Sequence, residues 1–236
     1  MTKTHSKIAI IITAAGSSTR MGGSIKKEYL PFKNGTVLSN CAQTFLEACS
    51  PHFTITDFII TCPKDGKKEC LEALKTFDHS SLASAFKIAE GSDTRQKSVY
   101  NGLLAIKNNP QIVLIHDGAR PFVTSELILN CVNSALEFGA SVPGLTPVDT
   151  QKEIDFQGFI VRHLQRSSLC AVQTPQCFDF EKLFKAHTKA LNDDTEYTDD
   201  TEIWGRYCGK VKVVQGEAGN IKITYPSDLE KLKFNS

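Results

Sequence analysis

The reactive side chains of this 236-residue chain gather in a few short segments that also carry glycine. The first is Ala14-Ala15-Gly16-Ser17-Ser18-Thr19-Arg20-Met21, followed by Lys26 and Lys27. Small side chains let backbone N–H groups approach phosphate oxygens, and Arg20 and Lys27 can neutralise charge developing on a transferring phosphoryl group. A plain turn with a solvated basic patch has the same composition, so this segment alone leaves both readings open. Neither G-x-G-x-x-G nor G-x-x-x-x-G-K-[ST] is present, which disfavours a dinucleotide dehydrogenase and a P-loop NTPase.

The second segment is His116-Asp117-Gly118-Ala119-Arg120-Pro121. A carboxylate at Asp117 can reach a metal ion carried on phosphates, since Mg²⁺ takes one or two protein carboxylates and fills its shell with phosphate and water. The competing reading is a turn aspartate before Gly118. Arg120 is either a phosphate fork or the partner of a surface acid, and His116 reads as a hydrogen-bonded residue rather than a general base. Glu90-Gly91-Ser92-Asp93-Thr94-Arg95 and Gly216-Glu217-Ala218-Gly219-Asn220-Ile221-Lys222 add further glycine and charge. Thr198-Asp199-Asp200-Thr201-Glu202 reads as a helix start, with Thr198 as cap and acids favourable to the dipole. Asp193 and Asp194 read as solvated loop acids.

These segments need elements that bring them together. Apolar β-branched runs predict strands at residues 8–12, 58–62, 86–89, 112–116 and 211–214, the first buried on both faces. Helical spacing predicts helices over 37–49, 66–77, 94–106, 124–138 and 180–191. Another opens at Thr198, and the last covers 226–232, with Thr224 or Ser227 as its cap. Thr124 and Gly139 supply a cap and a stop for the fourth. Strand and helix in alternation predict βαβ units in one doubly wound, mostly parallel α/β sheet. Each reactive segment then follows a strand, at the end where ligands bind in such sheets. Between residues 147 and 172 the pattern loosens around the alternating run Phe159–Leu164, which predicts a protruding hairpin inserted into a single domain spanning 1–236.

Composition narrows the function further. A net charge of +1 gives no global pull toward nucleic acid or anionic membrane, so an anionic ligand has to be held locally. The eight cysteines form no C-x-x-C pair and mostly sit in apolar runs, as reduced core thiols do. The apolar run at 8–12 is too short for a signal peptide and lacks a cleavage pattern. These features predict a cytoplasmic protein.

Taken in order, Ala14-Ala15-Gly16 through Arg20-Met21, Lys27-Glu28-Tyr29-Leu30, His116 to Phe122, Gln173-Thr174-Pro175-Gln176 and Asn220 to Thr224 with Pro226 and Asp228-Leu229 resemble the 2-C-methyl-D-erythritol 4-phosphate cytidylyltransferases of the non-mevalonate isoprenoid pathway. The resemblance spans nearly the whole chain, although Lys26 stands where that family commonly has proline. It implies a Rossmann-like fold, CTP and a polyol phosphate as substrates, Mg²⁺, and a homodimer joined by the projecting β-arm. By position, it implies that Ala14, Ala15 and Gly16 hold CTP through the backbone and that Asp93 and Ser98 lie at the cytidine. Arg20 and Lys27 would stabilise the transition state and Asp117 would bind the metal. Arg120, Thr150, Arg166, Thr174 and Lys222 would grip the acceptor phosphate or the triphosphate, Arg166 from the partner subunit's arm. The alternatives are a ribitol-5-phosphate cytidylyltransferase and a CTP-binding protein without turnover.

Overall fold

The computed structural model of the chain describes residues 5–16, 21 and 25–234. Its central sheet starts with β1 (Lys7–Thr13), whose five residues from Ile8 to Ile12 are fully buried. After a 3₁₀ turn at Lys27–Tyr29 come a small ribbon, β2 (Pro31–Phe32) and β3 (Gly35–Thr36), and helix α1 (Val37–Cys49). Then follow β4 (Thr54–Cys62), α2 (Lys67–Ala73), β5 (Phe86–Glu90), α3 (Arg95–Ala105), β6 (Ile112–Asp117) and α4 (Ser125–Phe138). The second half holds β7 (Ala140–Leu145), β8 (Lys152–Ile154), β9 (Ile160–His163), β10 (Ala171–Val172), β11 (Gln176–Asp179), α5 (Phe180–Ala190), α6 (Asp200–Tyr207), β12 (Lys212–Gln215) and α7 (Leu229–Phe234).

β1 pairs in parallel with β4 and with β6, and β4 pairs in parallel with β5. The chain therefore winds outward to β5, returns across β1, and leaves a switch point between β1 and β6, where ligands bind in open α/β sheets. β11 is antiparallel to both β6 and β7, and β12 closes the far edge parallel to β7. The predicted mostly parallel α/β sheet is thus present, with β10 and β11 as the reversed strands on one edge of β7.

Alternation along β1 shows why helices cover both faces. Ile8, Ile10 and Ile12 pack in a cluster with Leu38 and Phe45 of α1 and Leu127 and Ile128 of α4. Ala9 and Ile11 face the other way, onto Val99 and Leu103 of α3 and Trp204 of α6. Each such isoleucine contributes roughly 1.5–3 kcal/mol on burial, so a slip of one residue would misplace the whole set.

Several boundaries differ from the sequence reading. β4 starts at Thr54, because Ile55 and Asp57 also pair with β1, and α2 ends at Ala73. β7 and β11 were not predicted. Thr124 caps α4 as expected, Thr94 caps α3 in the same way, and Gly139 (φ +84°) stops α4 in the left-handed region that glycine enters at little cost. The cap of α6 is Asp199 rather than Thr198, its carboxylate accepting from the backbone N–H of Glu202. Near the C-terminus neither Thr224 nor Ser227 caps; the carboxylate of Asp228 accepts from the N–H groups of Thr224 and Tyr225. Asp193 is no solvated acid either, since it accepts from the hydroxyl groups of Tyr197 and Tyr207 and pairs with Arg206. β8 and β9 pair with each other as a hairpin whose strand residues are all exposed.

Candidate active site

The ends of β1, β5 and β6 open onto a cavity of about 350 Å³ lined by Ala15, Gly16, Lys27, Asp93, Arg95, Asp117 and Lys222 among others. Backbone bonds hold these ends in register: Gly118 N–H donates to Thr13 O at 2.9 Å, and Gly91 N–H donates to Cys62 O at 2.7 Å. Gly91 is required by contact. A Cβ there would lie 2.3 Å from Ala15 Cβ and 3.2 Å from Cys62 O, so the loop after β5 could not lie against the first loop. Ser98 ties the same loop to α3, accepting from Ser92 N–H at 2.9 Å and donating to Thr94 O at 2.8 Å.

Asp117 is the electrostatic centre of the cavity wall. Lys222 Nζ lies 2.8 Å from its Oδ2, Arg120 Nε 3.7 Å from Oδ2, and Arg95 Nε 3.6 Å from Oδ1. Burial acts to raise its pKa, but Lys222, Arg95 and Arg120 together outweigh it and hold the carboxyl well below the usual carboxylate range. The Asp117 N–H donates to Thr174 Oγ1 at 3.1 Å, and the Thr174 hydroxyl in turn donates to His116 Nδ1 at 3.0 Å. His116 Nε2–H then donates to Arg120 O at 3.2 Å. Both ring nitrogens are satisfied in a fully buried site, where burial lowers the imidazole pKa to about 3 against a smaller opposing effect of Asp117. His116 is therefore held neutral, a strut rather than a base.

The structure brings together Ala15, Gly16, Lys27, Asp93, Ser98, Asp117 and Lys222 as lining residues, with the buried Ala14 directly behind. Lys27, rather than Lys26, lines the cavity; Lys26 donates its ammonium to Gly16 O, bracing the first loop. Arg20 lies outside the described residues, as do Ser17, Ser18 and Thr19. Arg120 does not line the cavity and, among the described residues, pairs with no surface acid. It points inward to Asp117 and donates to Asn220 O at 2.8 Å. Thr174 is buried, with its hydroxyl committed to His116 and Asp117. Thr150 and Arg166 are exposed residues of the 147–172 excursion, Arg166 donating to Val148 O, and neither lines this chain's cavity.

Two charged lining residues were not singled out from sequence. Glu28, buried beside Lys27, carries no pattern that separates it from a helix-turn acid. Arg95 opens α3 at a strand end already rich in charge, so the strand-end rule was signal enough to find it.

Among the described residues no group of three or more His, Cys, Asp or Glu side chains could hold a metal ion. A cage made of protein alone is therefore not offered. Asp117 does fit the other kind of site: a hard, ionised carboxylate on a cavity wall, with Oδ1 facing Arg95 Nε at 3.6 Å, beyond hydrogen-bond distance. One such oxygen, completed by phosphate oxygens and water, suits Mg²⁺.

A doubly wound sheet whose switch point brings Ala15 and Gly16 together with lysine and arginine side chains around one carboxylate defines the class, a Rossmann-like α/β nucleotidyltransferase. The chain belongs to the 2-C-methyl-D-erythritol 4-phosphate cytidylyltransferase family, which its residues 8–235 match. It is 38% identical over 224 residues to the enzyme of that name from Clostridium botulinum strain 657, covering 95% of each chain. With the one from Clostridium novyi it shares 39%, over 95% of this chain and 94% of the other. Among solved structures it is similar to 4-diphosphocytidyl-2C-methyl-D-erythritol synthase from Anaerococcus prevotii, with a TM-score of 0.82 and 30% identity over 97% of this chain and 95% of that one. The cytidylyltransferase from Thermus thermophilus follows the same fold, at a TM-score of 0.76 and 28% identity over 97% and 98%.

Proposed function

We propose that the chain transfers CMP from CTP to 2-C-methyl-D-erythritol 4-phosphate, giving 4-diphosphocytidyl-2-C-methyl-D-erythritol and pyrophosphate. The observation that carries this reading is the pairing of Arg95 and Lys222 with Asp117, on the wall of a cavity that Lys27, Ala15 and Gly16 also line. An acceptor phosphate oxygen attacks the α-phosphorus of CTP; the new P–O bond forms as the bond to the bridging oxygen of the β-phosphate breaks, and pyrophosphate leaves with that electron pair. The attacking oxygen is already anionic, so no general base or covalent nucleophile is needed. Catalysis is then positioning and charge neutralisation.

Ala14, Ala15 and Gly16 hold the triphosphate through backbone groups, and Asp93 and Ser98 shape the end where the cytidine sits. Arg20 and Lys27 stabilise charge on the transferring phosphoryl group. Lys222 orients the acceptor phosphate, while Arg120 and Thr174 act from behind by fixing Asp117. Asp117 would hold a Mg²⁺ ion, which when bound neutralises triphosphate charge. Thr150 and Arg166 belong to an arm that serves the partner's site in a homodimer. The exposed apolar side chains of that arm support such a pairing: Phe156 is 97% exposed and Phe159 68%. No helix among the described residues is long and apolar enough to cross a membrane, and the free cysteines suit a reducing cytoplasm.

The test is pyrophosphate release from CTP with each acceptor in turn, 2-C-methyl-D-erythritol 4-phosphate and ribitol 5-phosphate. Turnover with the first supports the reading. Strong turnover with ribitol 5-phosphate alone overturns the acceptor, and CTP binding with no release from either overturns the enzyme.

A further inference from the structure

Beside the cavity, in the layer formed by α3, α5 and α6, a buried charge network extends from Arg95 to residues that the reaction as drawn does not use. Arg95 is its link. Its Nη1 lies 2.7 Å from Asp200 Oδ2 while its Nε faces Asp117 Oδ1 at 3.6 Å. The other oxygen of Asp200 accepts from His187 Nε2 at 3.0 Å. Asp200 and His187 are both fully buried, and His187 stacks against Tyr100 with 12° between the ring planes. The backbone N–H of Asp200 donates to Gln176 Oε1 at 3.2 Å, and Gln176 Nε2 donates to Asp199 Oδ2 at 3.1 Å. The first turn of α6 is thereby pinned to β11, the strand next to β6 and its terminal Asp117.

A carboxylate taken wholly out of water is costly unless it is paired and hydrogen-bonded. Asp200 does not line the cavity, so substrate contact does not explain it. A cap does not explain it either, because Asp199 performs that task. What Asp200 does is occupy one end of a guanidinium whose other end faces Asp117. We propose that Asp200 is a positioning residue for the transfer, acting through Arg95 to set the guanidinium against Asp117 at the cavity wall; this rests on the cytidylyltransferase reading above. The planar fork of arginine can serve two carboxylates at once, which the ammonium of lysine cannot do in the same geometry. With asparagine at position 200, Arg95 is released to close onto Asp117 Oδ1, and that oxygen becomes engaged. The loss would fall on the chemical step.

The experiment is a double-mutant cycle on kcat with Asp200→Asn, Arg95→Lys and the double variant, reading pyrophosphate release, KM for CTP and Tm. Wild type releasing pyrophosphate establishes the parent reading; wild type inactive with both acceptors removes that reading. Given an active wild type, Asp200→Asn should lower kcat by about 10- to 100-fold, and the double variant should lose no more than the worse single one. The proposal is overturned if the losses multiply, or if Asp200→Asn lowers Tm but keeps kcat within about twofold. Should Asp200→Asn fail to fold, Arg95→Lys decides alone: kcat within about twofold of wild type overturns the proposal.

Discussion

Lys222 Nζ sits 2.8 Å from Asp117 Oδ2, joining the loop after β12 to the end of β6 across the cavity that both residues line. On the proposed reading, the pair divides the wall into a cationic side for phosphate and a carboxylate side for a metal. Removing Lys222 takes away the cation at 2.8 Å from Asp117, leaves Arg95 and Arg120 at 3.6 and 3.7 Å, and removes one donor meant for an anion. Lys222→Gln and Lys27→Gln should each reduce kcat by about 100-fold or more, read by steady-state pyrophosphate release. Wild-type turnover in both variants would remove charge neutralisation as the basis of the reaction.

Asp117→Asn keeps the shape of the wall and deletes its charge. The proposed Mg²⁺ then loses its anionic protein oxygen, so the half-saturating Mg²⁺ concentration should rise about tenfold or more. A Mg²⁺ titration of the rate at fixed CTP reads this directly, and a superimposable curve would take the metal away from Asp117.

The approach of the β5 loop to the first loop is decided by one missing atom. Gly91→Ala puts a Cβ 2.3 Å from Ala15 Cβ, and one of the two loops has to retreat. Overpacking of this kind costs about 1–3 kcal/mol, and here it displaces the backbone proposed to hold CTP. KM for CTP should rise by about tenfold or more while thermal unfolding moves only a few degrees. An unchanged KM would show that the first loop does not depend on this contact.

The parallel half of the sheet was readable because continuous apolar runs such as Ile8–Ile12 have one stable placement, a central strand covered on both faces. β7 escaped notice because Pro143 and Gly144 interrupt its pattern, and β11 because four residues between Gln176 and Asp179 make no period. The cleft was legible in outline, since glycine and charge collect at strand ends whatever the partners. The partners were not legible. Arg95 stood in a marked segment, but its choice of Asp200, 105 residues away, depends on how α6 packs. Thr174 looked like a ligand for phosphate and is a bracket between His116 and Asp117, a distinction that only three-dimensional distances can make.

His116 gives a pH signature separate from the carboxylates. Its folded pKa of about 3 lies below the unfolded value of about 6.5, so between these limits the unfolded chain binds the extra proton. Stability is therefore undiminished above about pH 6.5 and falls as pH drops, by roughly 1.4 kcal/mol per pH unit from this group. Asp117 and Asp200, whose folded pKa values are depressed, add their losses only as pH falls below about 4, the ordinary carboxyl value. His116→Gln can donate to Arg120 O and accept from Thr174 without titrating. Urea midpoints from pH 7 to 4.5 should fall less steeply for the variant than for wild type. Parallel curves would mean that His116 is not held neutral.

The arm makes the most demanding prediction, because it requires two chains for one site. Phe156, Phe159, Ile160 and Val161 are exposed on or beside a hairpin that pairs only with itself among the described residues, and Arg166 lies in the same excursion away from its own cavity. If the arm serves a neighbour, Lys27→Ala damages the site of its own subunit and Arg166→Ala damages the partner's. Each variant alone should be nearly inactive. Unfolded together in equal amounts and refolded, about half the dimers are mixed, and one of the two sites in each mixed dimer has both side chains, so about a quarter of wild-type activity should return. Sedimentation should show a dimer for wild type and a shift toward monomer for Phe156→Glu with Ile160→Glu. No recovery on mixing, with a dimer still present, would place Arg166 in its own subunit's site or outside the reaction.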